Sequence, residues 1–125
     1  MTKERIPYEL LKLVTEEEII MFRDLQIKIQ ELNFKTNLTR LIKGDDYWIS
    51  QIYDSIWAFK EYSNYNFDNK KFIDIGSGCG FPGFAYAITH PNSEIYLVDS
   101  SKKKTDSLKE IIKSCLLYTS PRPRD

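Results

Sequence analysis

The residues in this sequence that could do chemistry crowd into one stretch, Asp74-Ile-Gly-Ser-Gly-Cys-Gly-Phe-Pro-Gly83, and one carboxylate beyond it, Asp99. Glycines at alternate positions, Gly76, Gly78 and Gly80, let a loop turn successive backbone N–H groups toward a ligand, because a Cβ would block both the φ angles and the close approach. An acid about twenty residues past such a loop is where nucleotide-binding α/β folds place the acceptor for ribose hydroxyls. This is the chemistry of holding and orienting a nucleoside-bearing molecule. Proton transfer is poorly supplied: the single histidine, His90, sits beside Pro91 and reads as a turn residue, and Cys79 and Cys115 have no metal-ligand spacing. Cys115 reads as a small buried hydrophobe.

The elements that must position these groups follow from the flanking pattern. Phe72, Ile73 and Ile75 read as a buried strand leading into the loop, and Pro82 and Gly83 as the start of a helix. Glu94-Ile-Tyr-Leu-Val-Asp99 reads as the next strand, tipped by its acid. A dinucleotide fingerprint requires glycine at the sixth position of the loop, and counting from Gly76 that position is Phe81, so that pattern fails. Structural roles stay open beside the binding one. Asp74 can cap a helix or form a turn, and Asp99 can cap the helix that begins near Ser101.

Composition sets the frame. The 125 residues are one domain's worth, and 42% hydrophobic and 14% aromatic residues suffice for a core. Eighteen basic and eighteen acidic residues cancel, so nucleic-acid contact would rest on local patches rather than on an overall field. The two cysteines suggest no disulfide framework, and the N-terminus lacks the apolar segment of a signal peptide, so a cytoplasmic protein is expected, with no membrane insertion and no metal.

Along the chain, Tyr8, Leu10, Leu11 and Leu13 suggest a short helix after Pro7. Thr15 with Glu18 makes a capping-box pair before a longer helix whose apolar face is Ile19, Phe22, Leu25, Ile29 and Leu32. A polar, locally basic connection follows, with Lys35, Arg40 and Lys43. Asp45 or Asp46 is expected to cap the next helix, in which Trp48, Ile49, Ile52, Ile56 and Phe59 form the apolar face. Ser63 to Asn69 reads as a linker. After the loop come a helix from Phe84 to Thr89, a turn at His90 to Ser93, the second strand, and a helix from Lys102 to Ser114 with Leu108, Ile111, Ile112 and Cys115 inward.

Three alternate glycines preceded by an acid resemble the first motif of S-adenosylmethionine-dependent methyltransferases. The longer run Asp74 to Gly83 with its Phe-Pro-Gly ending, followed by Asp99-Ser100 and then lysines, is similar to the RsmG, or GidB, family of bacterial 16S ribosomal RNA (guanine-N7) methyltransferases. Asn37-Leu38-Thr39 and Asp54-Ser55 resemble that family's N-terminal motifs in order and approximate spacing, and Gln51 stands where the family usually carries histidine. The resemblance runs from about Thr15 to Ser114. It implies an α/β, Rossmann-like methyltransferase fold with an N-terminal helical cap, S-adenosylmethionine as cofactor, and 16S ribosomal RNA in the small ribosomal subunit as partner; a monomer is expected. On this resemblance Asp74 opens the cofactor motif, Gly76 and Phe81 touch the cofactor, Gly78 and Gly80 let it approach the backbone, and Asp99 with Ser100 holds its ribose and adenine end.

Residues 1–69 are then the helical cap and residues 70–115 the first part of the methyltransferase domain. With only two strands in sight the fold reads as truncated, and residues 116–125, which lack an apolar period, read as a non-native tail. Two further readings stay open: a methyltransferase of the same fold acting on a small molecule or protein, and a non-enzymatic nucleotide-binding module.

Overall fold

The computed structural model describes residues 4–61, 71–76 and 78–116. The first helix, α1, spans Tyr8–Leu11, and the longest, α2, spans Glu16–Asn33. Its start is the capping box expected from the sequence. Glu18 N–H donates to Thr15 Oγ1 at 3.1 Å, and Thr15 N–H donates to Glu18 Oε1 at 2.8 Å. Two amides that the first helical turn would leave without acceptors are thereby satisfied. Ile19, Phe22, Leu25, Ile29 and Leu32 are all buried, so the period read from the sequence is the packed face.

A second helical run covers α3 (Gly44–Tyr47), a π-helical segment (Trp48–Tyr53) and α4 (Asp54–Glu61). Neither Asp45 nor Asp46 caps it. Both are exposed in the first turn, while Gly44 N–H donates to Glu4 Oε2 at 2.7 Å. Glu4 is held for this by Gln26 Nε2 at 2.7 Å and Trp48 Nε1 at 3.3 Å, and these hydrogen bonds, Gln26 first, keep its carboxyl below the usual range despite its partial burial. An ionised carboxylate at a helix N-terminus is also favoured by the helix dipole. The wider π turn then changes which residues face inward. Tyr47, Trp48, Gln51, Ile52 and Ile56 are buried, and Ile49, expected inside, is 38% exposed. The Phe59 side chain, the expected linker at Ser63 to Asn69 and the expected tail of residues 116–125 after its first residue, Leu116, lie outside the described residues.

Strands β1 (Lys71–Ile75) and β2 (Glu94–Val98) are parallel neighbours in the register Lys71↔Glu94 to Ile75↔Val98. Helix α5 (Gly83–Thr89) lies between them in the chain and is buried from Gly83 to Ile88. Helix α6 (Lys102–Ile111) follows β2, capped by Ser101 Oγ, which accepts Lys104 N–H at 3.3 Å. A π-helical turn, Ile112–Leu116, continues it, with Leu108, Ile111 and Ile112 buried as expected and Cys115 half-buried. Burial, with Asp24 nearby, pushes the Cys115 thiol up to about 11, which leaves it protonated and unreactive.

The strand β1 exists where expected, but the expectation that Ile73 and Ile75 are buried is overturned. Side chains alternate across a strand. Asp74, Ile95 and Leu97 face the helices and are buried, with Phe72 half-buried beside them, whereas Ile73 is 60% and Ile75 81% exposed. No described element covers that second face. On the covered face Phe72 stacks on Tyr86 at 4.5 Å and Tyr86 on His90 at 4.4 Å, so His90 is indeed a residue of the turn after α5. Helix α2 packs against α5 and α6, and one hydrophobic cluster takes residues from the helical part and the sheet part alike. Among the described residues no helix is long and apolar enough to cross a membrane.

Candidate functional site: the glycine loop

The loop begins where β1 ends. Gly76 N–H donates to Val98 O at 2.7 Å, which carries the parallel ladder one step past the last strand residue. The chain then turns through Gly78 at φ +57° and Gly80 at φ +101°, both in the left-handed region that side chains rarely enter. A Cβ placed on Gly76 or Gly78 would meet no atom within 4 Å, so the outer part of the loop borders open space. A Cβ on Gly80 would lie 2.0 Å from Phe84 Cε2, and one on Gly83 would lie 2.3 Å from Leu97 Cδ2. The inner glycines are there for packing.

The two candidate carboxylates separate in the same way. Asp74 is buried, and its Oδ2 accepts Gly83 N–H at 3.0 Å, so it serves the first amide of α5 from below. Burial pushes its carboxyl up, against the opposing effect of that N–H. Asp99 stands at the tip of β2 with Oδ1 accepting Ser101 N–H at 2.9 Å and Oδ2 accepting Gly78 N–H at 2.8 Å. These bonds, Ser101 first, hold its carboxyl below the usual range, so it is ionised. Asp99 does not cap α6 itself; Ser101 does that.

Gly76, Gly78, Asp99 and the exposed Ser100 are thus brought to one mouth, while Asp74 and Gly80 form the loop's root. Phe81 is half-buried and meets the helical part instead, edge-on to Tyr47 at 6.2 Å and to Phe84 at 6.0 Å. The contact that the sequence did not show is between Gln51 and the loop. Gln51 Nε2 lies 3.3 Å from Cys79 Sγ and 3.1 Å from Thr39 Oγ1. The sequence marked Gln51 and Thr39 only through family motifs, and no local period links either to residue 79. Among the described residues no group of three or more histidine, cysteine, aspartate or glutamate side chains could hold a metal ion. The arrangement supplies an ionised carboxylate beside open space, which is equipment for binding a polyhydroxylated, nucleoside-like molecule.

A model of the family described as GidB, rRNA small subunit methyltransferase G, matches residues 18–119. The chain belongs to this family. It is 88% identical over 114 residues to the ribosomal RNA small subunit methyltransferase G of Prochlorococcus marinus subsp. pastoris, an overlap of 91% of this chain and 48% of the relative. The protein of the same name in Prochlorococcus marinus strain MIT 9312 is 75% identical over 113 residues, covering 90% of this chain and 48% of the relative. In strain NATL1A the corresponding figures are 50% over 99 residues, 79% and 40%. The chain therefore spans about half the length of the curated relatives it matches. Its membership accounts for the mixed helix and strand composition with a small parallel sheet.

Proposed function

We propose that this chain carries the S-adenosylmethionine-binding part of an enzyme that transfers a methyl group to N7 of a guanine in 16S ribosomal RNA. The observation that supports this best is the meeting of Gly78 N–H and the ionised Asp99 carboxylate at the tips of two adjacent parallel strands. Crevices at the carboxyl ends of parallel strands are where open α/β folds bind their ligands. In this reading residues 70–115 begin a Rossmann-like domain and residues 1–69 cap it. The working form is a cytoplasmic monomer that acts on the small ribosomal subunit.

The residues present fit the cofactor. Open space borders Gly76 and Gly78, and Asp99 is ionised and only half-buried, as an acceptor for ribose hydroxyls must be. Ser100 would extend that contact, Phe81, turned toward Tyr47 and Phe84, would steady the loop from the core side rather than touch the cofactor, and Asp74 would act through Gly83 by fixing the start of α5. When bound, S-adenosylmethionine supplies an electrophilic methyl group on a sulfonium. Guanine N7 bears a lone pair and no proton, so the protein needs no general base there. Its work is to align the two reactants and accommodate charge, and alignment alone supplies a large share of such rate enhancements.

The test uses a longer chain, made by completing this sequence with the portion of the Prochlorococcus relative that it does not match. Calorimetric titration should show S-adenosylmethionine binding and no NAD binding, and labelled methyl groups should pass to undermodified 30S subunits. Absence of cofactor binding, or preference for NAD, would refute the proposal.

A further inference from the structure

We infer that Gln51 is a positioning residue for the glycine loop, tying it to the connection after α2 so that cofactor affinity is set partly from the helical part of the chain. The inference rests on the reading that the loop binds S-adenosylmethionine. A loop rich in glycine loses much conformational entropy when it is ordered, and glycines offer no side chains by which to hold it. Cys79, between Gly78 and Gly80, is where a side chain anchors this loop, and it packs half-buried against the hydrophobic cluster. Its Sγ accepts one Gln51 amide hydrogen and Thr39 Oγ1 accepts the other. Gln51 is only 8% exposed, so both amide hydrogens find partners where water would not replace them.

The far end of this tie is fixed in turn. Asn33, the last residue of α2, donates from Nδ2 to Thr39 O at 3.0 Å and accepts Thr39 N–H at 3.3 Å, and Thr39 Oγ1 also accepts Leu41 N–H at 3.0 Å. On the helical run, Ser55 Oγ donates to Gln51 O at 2.6 Å. The π-helical turn is what brings Gln51 to this inward position, and such turns recur at functional sites. Adjacent loop residues are therefore gripped from opposite sides, Gly78 by Asp99 at the tip of β2 and Cys79 by Gln51. Relaxing the second grip leaves the first intact and frees the loop to sample conformations that bind cofactor less well.

The test measures S-adenosylmethionine affinity by calorimetry in the completed chain. Gln51→Leu and Cys79→Ala should each weaken binding by about tenfold, the scale of one hydrogen bond. The double variant should be no weaker than the worse single, because both remove the same tie. Gln51→His, which keeps an N–H donor at this position, should retain parental affinity. Parental affinity in a folded Gln51→Leu, or losses that multiply in the double variant, would overturn the inference. If Gln51→Leu does not fold, Cys79→Ala against Cys79→Ser decides: loss with alanine and recovery with serine support the tie, and parental affinity with alanine refutes it. If the parent itself binds no S-adenosylmethionine, the cofactor reading has failed separately. Amide hydrogen exchange at Gly78 and Gly80 then decides the tie alone, faster in Gln51→Leu if it exists and unchanged if it does not.

Discussion

At the mouth of the loop Gly76 and Gly78 border open space and Asp99 is ionised, whereas at its root a side chain on Gly80 or Gly83 would strike Phe84 or Leu97 and Asp74 is buried. The same two residue types thus do opposite work at the two ends of one site. Glycine at the mouth leaves room for something outside the chain, and glycine at the root leaves room for the chain's own core. A carboxylate at the mouth gains from being charged, and one at the root is penalised for it. A motif read only as a cofactor cradle therefore merges binding residues with folding residues, and substitutions should pull the two apart.

The largest expected effect is at the root. Gly80→Ala puts a methyl 2.0 Å from the Phe84 ring, which is buried, at a φ of +101° that alanine resists. Overpacking and backbone strain together should cost about 3 kcal/mol or more in urea denaturation. Gly76→Ala, with a positive φ but no neighbour within 4 Å, should cost only about 1–2 kcal/mol. Equal losses at the two positions would erase the distinction.

At the mouth the effect should fall on binding. Asp99→Ala in the completed chain removes an ionised acceptor and should weaken S-adenosylmethionine by roughly tenfold to a hundredfold, or about 1.5–3 kcal/mol. Calorimetry that finds unchanged affinity in a folded variant would remove Asp99 from the site.

The two carboxylates should also respond to pH in opposite senses. Asp99 has a folded pKa below its unfolded value, so its contribution to stability is present above about pH 4 and is lost as pH falls through the folded pKa. Asp74 has a folded pKa above its unfolded value, so its contribution is complete below about pH 4 and is lost as pH rises through the folded pKa. Relative to the parent, Asp99→Asn should lose its deficit in acid, and Asp74→Asn should gain as the pH is raised toward neutrality. Urea midpoints between pH 3 and pH 7 would show this, and parallel profiles for the two variants would contradict it.

What the sequence revealed was local. The Thr15 and Glu18 pair, the face from Ile19 to Leu32 and the strand, loop and helix around Gly78 all depend on residues a few positions apart, where period and turn chemistry speak directly. The cap on Gly44 comes from Glu4, forty residues away, and the tie on Cys79 comes from Gln51, so neither has a local pattern to read. The division of Asp74 from Asp99 was hidden for another reason: Asp74 lies inside β1, paired with Leu97 on the side of the sheet that the helices cover, whereas Asp99 lies just past the end of β2, and neither the register nor the covered side has a local pattern.

The smallest expected effect concerns that sidedness, and it is the one that links this chain to its longer relatives. Ile75 is 81% exposed and Ile73 60%, on the sheet face opposite the one that α5 covers, with Val98 beside Ile75 in the register. Changing a side chain that already meets water removes almost no buried area, so Ile75→Lys in the 125-residue chain should alter stability by less than about 0.5 kcal/mol. Layered α/β folds bury both faces of a parallel sheet, and the relatives have about twice this chain's length with which to do so. In the completed chain the same substitution would bury a charge and should cost about 2 kcal/mol or more. Urea denaturation of the four proteins measures the difference directly. A loss in the short chain would show that Ile75 is already packed, and a neutral result in both would show that this face stays open in the complete protein.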